Sequence, residues 1–288
     1  MTVRAVLFAR ASRETLEGAG VHLRRAFGNG DEKLFDPFLM LDDFRGDHPS
    51  MYQLGFPWHP HRGIETITYM LEGETDHADS MGNEGTIRAG DVQWMTAGSG
   101  IIHQEMPRGT EQGRMGGFQL WLNLPAVHKM TDPRYQGIEA AMIPEVKTEG
   151  AHIRVIAGRV GDVAGPVADI FVDPEYLDVA LAPGAVWQHP TVPGHTVFAY
   201  IFQGGAHFGE TDEFVKADPG RVVLFGDGDS AVTTAGPEGA RFLLASGRPL
   251  REPIAWRGPI VMNYVSELEE AWRELNEGTF EKHRGAKG

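Results

Sequence analysis

Two short motifs carry side chains that could do chemistry together, His59-Pro60-His61 and His103-Gln104-Glu105. Side chains on an extended strand alternate between its two faces, so His59 shares a side with His61, and His103 shares one with Glu105. Each motif is then a two-pronged ligand set. Brought face to face across a barrel interior, they would offer three imidazole nitrogens and one carboxylate oxygen to a single ion. That mixture suits Fe(II), Mn, Co, Ni, Cu or Zn and describes a mononuclear metal centre. Glu65 is a competing carboxylate, because it stands at even spacing from His59 and His61 and would share their face in an unbroken strand. Gly63 permits a bulge that would turn Glu65 away. Spacing alone leaves both carboxylates open.

The elements that must position these residues read as strands. Runs rich in β-branched and aromatic residues occupy 64–71, 91–96, 117–124, 152–157, 177–181, 197–202, 221–225 and 241–245, separated by single glycines, of which the chain has 37. One helix is expected, at 266–276, with Ser266 as N-cap, Glu269 completing a capping box and Gly278 just past its end. Its apolar positions Leu268, Ala271, Trp272 and Leu275 fall on one face that should dock on the body of the protein. The pattern predicts an all-β chain closed by a short C-terminal α-helix.

The halves echo each other. Tyr69-Met70-Leu71-Glu72-Gly73 and Gly90-Asp91-Val92 recur as Tyr200-Ile201-Phe202-Gln203-Gly204 and Gly220-Arg221-Val222, at offsets of 131 and 130 residues. Two copies of one antiparallel unit are expected, divided near 130, where Pro125, Pro133 and Pro144 interrupt regular structure.

Composition narrows the classes of function. With no cysteine among 288 residues, a disulfide framework, a thiolate metal site and a cysteine nucleophile are all excluded. Twenty-six Lys and Arg against 40 Asp and Glu leave a net charge of −14, which disfavours direct contact with nucleic acid or an anionic membrane. Apolar runs such as Phe242-Leu243-Leu244-Ala245 are far shorter than the roughly 20 residues that span a bilayer. The opening residues lack the uninterrupted apolar stretch of a signal peptide, so a cytoplasmic protein is expected.

The segment His59-Pro60-His61-Arg62-Gly63-Ile64-Glu65-Thr66, together with Gly90-Asp91-Val92-Gln93-Trp94-Met95-Thr96-Ala97-Gly98-Ser99-Gly100-Ile101-Ile102-His103-Gln104-Glu105-Met106-Pro107, resembles the pirin family of bicupins. The likeness extends through Leu120-Trp121-Leu122-Asn123-Leu124-Pro125, Lys129-Met130-Thr131 and Pro133-Arg134-Tyr135-Gln136, and in weaker form through the C-terminal half. It implies two tandem cupin-type jelly-roll β-barrels, 1–130 holding the metal and 131–288 lacking a complete metal site. It also implies one metal per chain, usually iron, held by residues matching His59, His61, His103 and Glu105, with Glu65 in a supporting role. By the repeat offset, the C-terminal ligand pair falls at His189–Thr191 or Pro190–Val192, and the counterpart of His103 near Thr233 or Thr234. His189 and His195 then read as hydrogen-bonding residues, and the second barrel as scaffold and lid.

Several bacterial pirins resemble quercetin 2,3-dioxygenases, which open the central ring of a flavonol with O2 and release carbon monoxide. The likeness therefore implies a dioxygenase acting on a flavonol-like aromatic substrate, with Glu105 as candidate catalytic base. Phe56, Trp58, Met70, Trp94, Gln119 and Trp121 flank the ligand strands, most of them as expected barrel core and the rest as pocket wall. Arg62 is placed to reach a ligand or a nearby carboxylate. The family likeness also implies an alternative, a metal- and redox-dependent regulator acting through a protein partner such as a transcription regulator or a metabolic enzyme. A third reading is a structural cupin whose metal only stabilises the barrel.

Overall fold

The computed structural model describes residues 2–210 and 214–283. Strands dominate, and they form two compact units with the same plan. One unit comprises residues 14–32, 38–140 and 251–288, and the other comprises 1–13, 33–37 and 141–250. Contiguous halves divided at 130 are thus modified by an exchange of terminal segments. The strand Val6–Ala11 pairs with Arg221–Phe225 in the C-terminal unit, and the helix Val265–Glu277 belongs to the N-terminal unit. Each exchanged segment finds in that unit the pairing edge or apolar surface that its own pattern requires.

In the N-terminal unit seven antiparallel strands run in the order Arg134–Ile138, Val92–Thr96, Ile64–Glu72, Gly116–Asn123, Phe38–Asp43, Val21–Phe27 and Arg13–Glu17. A second sheet of four, in the order Phe56–His61, Ile101–Arg108, Glu74–Asp79 and Glu84–Arg88, completes the barrel. In the C-terminal unit the order is Val6–Ala11, Arg221–Phe225, Thr196–Phe208, Ser230–Gly247, Glu175–Leu181, Ala151–Ala157 and Glu145–Thr148. There the long strands Thr196–Phe208 and Ser230–Gly247 pass through register shifts at Ile201/Gln203 and Gly204/Ala206 and continue into the opposite wall. Both units are cupin-type barrels, and the expected all-β architecture with a short C-terminal helix is what the chain adopts.

The eight strands read from the sequence all form, most of them extended by a residue or more. The helix runs from Val265 to Glu277, with Leu268 and Ala271 buried and Trp272 and Leu275 packed beside them. Its cap differs from the expected Ser266 and Glu269. The Glu267 carboxylate accepts the backbone N–H groups of Asn263 and Tyr264, both at 2.9 Å, so an acidic side chain in the first turn reaches back to the residues that lead into the helix. Gly278 ends the helix in the left-handed conformation, as expected.

Candidate metal centre

The three histidines converge. Ligand-capable nitrogens of His59, His61 and His103 lie within 4.8 Å of one another, and Nε2 of His59 is 3.0 Å from Nε2 of His61. Register explains the meeting, because His103 pairs directly with His59 across adjacent strands, and directly paired residues share a face. Inward and outward residues alternate along Ile101–Arg108, so His103 and Glu105 are both buried on the same side.

The hydrogen bonds of the imidazoles prepare them for a cation. Nδ1 of His59 lies 2.9 Å from the Pro57 carbonyl, and Nδ1 of His61 lies 3.1 Å from the Pro259 carbonyl. A carbonyl only accepts, so both Nδ1 atoms carry the proton and both Nε2 atoms present lone pairs. Two lone pairs facing each other at 3.0 Å repel unless a cation lies between them. Burial lowers the pKa of His59 and drives those of His61 and His103 well below the ordinary histidine value, helped for the latter two by the neighbouring imidazoles. Both nitrogens of buried His103 lack a hydrogen-bond partner. Neutral rings, aligned lone pairs and an unpartnered buried imidazole fit a divalent metal ion. Among the described residues, no other group of three such side chains comes together.

Glu105 is outside this 4.8 Å group. It lines the same cavity as His59 and His61, and its Oε1 lies 3.1 Å from the Thr68 hydroxyl. Burial raises its pKa to about 7, against the opposing effect of Thr68. Glu65 is held elsewhere. The strand Phe56–His61 ends before Gly63, which has φ +78°, and a new strand starts at Ile64, so the even spacing from His61 does not carry across. Glu65 therefore falls on the face of its strand opposite Thr68, where its Oε1 accepts the Thr96 hydroxyl at 2.7 Å. A side chain at Gly63 would stand 2.0 Å from the Val261 carbonyl oxygen, so this turn accepts only glycine.

Two buried cations brace the turn. Arg62 donates to the carbonyls of Ser99 and Phe280, both at 2.7 Å, and pairs with Glu274 of the C-terminal helix at 2.8 Å. The Lys129 ammonium donates to the Gly63 carbonyl at 2.8 Å, the Asn123 amide oxygen at 2.6 Å and the Val261 carbonyl at 2.9 Å. Arg62 thus meets a carboxylate rather than a ligand of the centre. Lys129 is a bracing residue whose role the sequence did not disclose, since two of its partners are backbone groups.

Beside the histidines lies a cavity of about 580 Å³. Phe56, Trp58, Gln119 and Trp121 line it, as does Trp256 from the C-terminal segment, while Met70 belongs to an apolar cluster. Trp94 lies on the opposite face from Gln93 and Met95 and is buried there. The far wall holds Arg25 and Asp42, joined by two hydrogen bonds of 2.8 and 2.7 Å. Sequence reading passed over both. The one available signal was Asp42-Asp43 closing an otherwise apolar strand.

In the C-terminal barrel the counterpart positions are otherwise occupied. Buried His189 pairs with Glu175 at 2.9 Å and stacks on Trp187. The hydroxyl of Thr191 and the carbonyls of Val192 and His195 accept hydrogen bonds from Arg4.

Fold and site together define a bicupin whose N-terminal barrel carries a three-histidine cluster able to hold a metal ion. Family models for pirin and for the pirin C-terminal cupin domain match residues 20–122 and 176–281. A pirin-like protein of Caulobacter vibrioides is 44% identical over 97% of this chain and 100% of its own. Human pirin is 40% identical over 93% of this chain and 91% of its own. The crystal structure of a quercetin 2,3-dioxygenase from Acinetobacter baumannii superposes with a TM-score of 0.87 at 35% identity, covering 96% of this chain and 98% of that one. The chain belongs to the pirin family.

Proposed function

We propose that the protein is an iron-dependent dioxygenase of the quercetin 2,3-dioxygenase type, acting on a flavonol-like substrate with O2 in the cytoplasm. His59, His61, His103 and Glu105 are the proposed metal ligands. The observation that carries this reading is the cluster of neutral, lone-pair-presenting imidazoles beside an aromatic cavity that also admits a carboxyl group with a pKa of about 7. Likeness to the Acinetobacter baumannii quercetin 2,3-dioxygenase supports it.

A bound Fe(II) would supply Lewis-acid and redox chemistry to the oxygen atoms of the substrate. The chain supplies the rest. The Pro57 and Pro259 carbonyls hold the imidazole planes. Phe56, Trp58 and Trp121 offer aromatic faces to a planar substrate. Glu105 is the candidate base for the proton of the flavonol 3-hydroxyl, its carboxyl group steadied by the Thr68 hydroxyl.

The test is anaerobic loading with Fe(II), addition of quercetin and O2, and measurement of carbon monoxide. Wild type should release it and His103→Ala should not. Absence of carbon monoxide from the wild type with iron or any other first-row metal would contradict the reading and favour a regulatory role through a protein partner.

A further inference from the structure

A row of polar residues crosses the inner face of the seven-stranded sheet. Gln93 pairs with Thr68, Thr68 with Gln119, Gln119 with Asp42, and Asp42 with Arg25, each directly opposite the next on neighbouring strands. Directly opposed residues share a face, so these side chains form one line across the barrel. The line begins at the centre, where Thr68 lies 3.1 Å from Glu105 and 3.0 Å from the Gln119 side-chain oxygen. It ends at Arg25 and Asp42, which with Gln119 line the cavity. Strands in a sheet lie about 4.8 Å apart, which puts Asp42 about 10 Å from Thr68.

Burying such a row is unfavourable unless each group has a partner. At its outer end the partners are arranged in a particular way. Asp42 is almost completely buried and receives one N–H of Arg25 on each oxygen, which leaves further lone pairs on both. Glu17 takes a third contact from the same guanidinium at 2.9 Å. Two carboxylates on one guanidinium leave a net negative group. It repels a ligand carboxylate and accepts a hydrogen-bond donor.

We infer that the Arg25–Asp42 pair is a specificity element that accepts a phenolic hydroxyl at the end of the aromatic ligand remote from the histidines. The inference rests on the dioxygenase reading for the aromatic ligand and adds its class: an elongated aromatic that is hydroxylated, not carboxylated, at its distal ring. Gln119, midway along the row, offers its amide to the body of the ligand.

The test compares quercetin with 3-hydroxyflavone, which keeps the metal-binding oxygen pair and lacks the other hydroxyls. Affinity is read from quenching of tryptophan fluorescence in Ni(II)-loaded protein, since Trp58, Trp121 and Trp256 line the cavity. Wild type should prefer quercetin by ~10-fold or more, the size of a hydrogen bond to a buried charged group. Asp42→Asn should reduce that preference. The double variant Arg25→Met with Asp42→Leu removes both charges together and should bind the two flavonols equally, with its thermal midpoint unchanged. An equal wild-type affinity for both, or a preference unaltered in the folded double variant, would overturn the inference and leave the dioxygenase reading intact. If neither flavonol binds the metal-loaded wild type, both fail.

Discussion

The two barrels share a strand order and differ in what crosses their interiors. In the N-terminal barrel the central row reads Gln93, Thr68, Gln119, Asp42 and Arg25. The same succession of strands in the C-terminal barrel gives Val223, Ala199, Leu244, Leu177 and Val155, again each opposite the next. All five of those belong to one continuous apolar core with Trp187, Phe208 and Phe242. The N-terminal interior instead holds separate apolar clusters, one with Met70, Leu23 and Phe44, another with Met95, Ile64 and Leu39. Between them lie the polar row and the cavity. One backbone plan thus serves as a filled core or as a chamber, and the choice rests on a few inward positions rather than on topology.

The comparison can be broken at several places. Each barrel contains a buried arginine that donates to carbonyls, but the ion pair of Arg4 with exposed Asp227 spans 4.0 Å, whereas Arg62 meets the Glu274 carboxylate at 2.8 Å. Arg62→Met removes one of the two cations of that carboxylate and should cost ~3 kcal/mol in urea unfolding, the lower end for a broken buried pair, because Lys282 still reaches Glu274. It should also lower metal occupancy, since Arg62 adjoins His61.

The rows themselves predict opposite responses to substitution. Leu244→Ala opens a void in a closed core and should cost ~2–4 kcal/mol, with metal content unchanged. Gln119→Leu, in the chamber wall, should change stability by less than ~1 kcal/mol while weakening flavonol binding. Denaturant titration and ligand titration of both variants check this, and equal stability losses would contradict the difference drawn between the barrels.

Much of this was legible in the sequence. The strand spans follow from β-branched runs between glycines, and the helix face follows from Leu268, Ala271, Trp272 and Leu275. His-x-His and His-x-Glu announce a shared face, which is a property of period two and needs no tertiary information. What escaped depends on partners brought by register or from afar. Glu65 was ambiguous because a turn at Gly63 resets the alternation. Arg25 and Asp42 are brought within reach of each other by a strand pairing that includes a bulge at Arg25/Phe27. Pro259 and Trp256 reach the site from a segment some 200 residues downstream of His61, and nothing local marks them.

A smaller effect sharpens the account of the N-terminal chamber. Its histidines already stand neutral below the usual histidine pKa, so they release few protons on binding metal near neutral pH. Glu105, raised to about 7, is protonated below that pH and must lose its proton to serve as a ligand. Metal affinity should therefore rise with pH up to about 7 and level off above it. Calorimetry in buffers of different ionisation enthalpy should find about one proton released per metal at pH 6 and far less at pH 8.

The most direct test of the metal centre is the amount of metal bound per chain, measured by elemental analysis after anaerobic Fe(II) loading and desalting. Wild type should hold one equivalent, and the variant with His59, His61, His103 and Glu105 all replaced by Ala should hold none while remaining folded. Full occupancy in that folded variant would contradict the assignment.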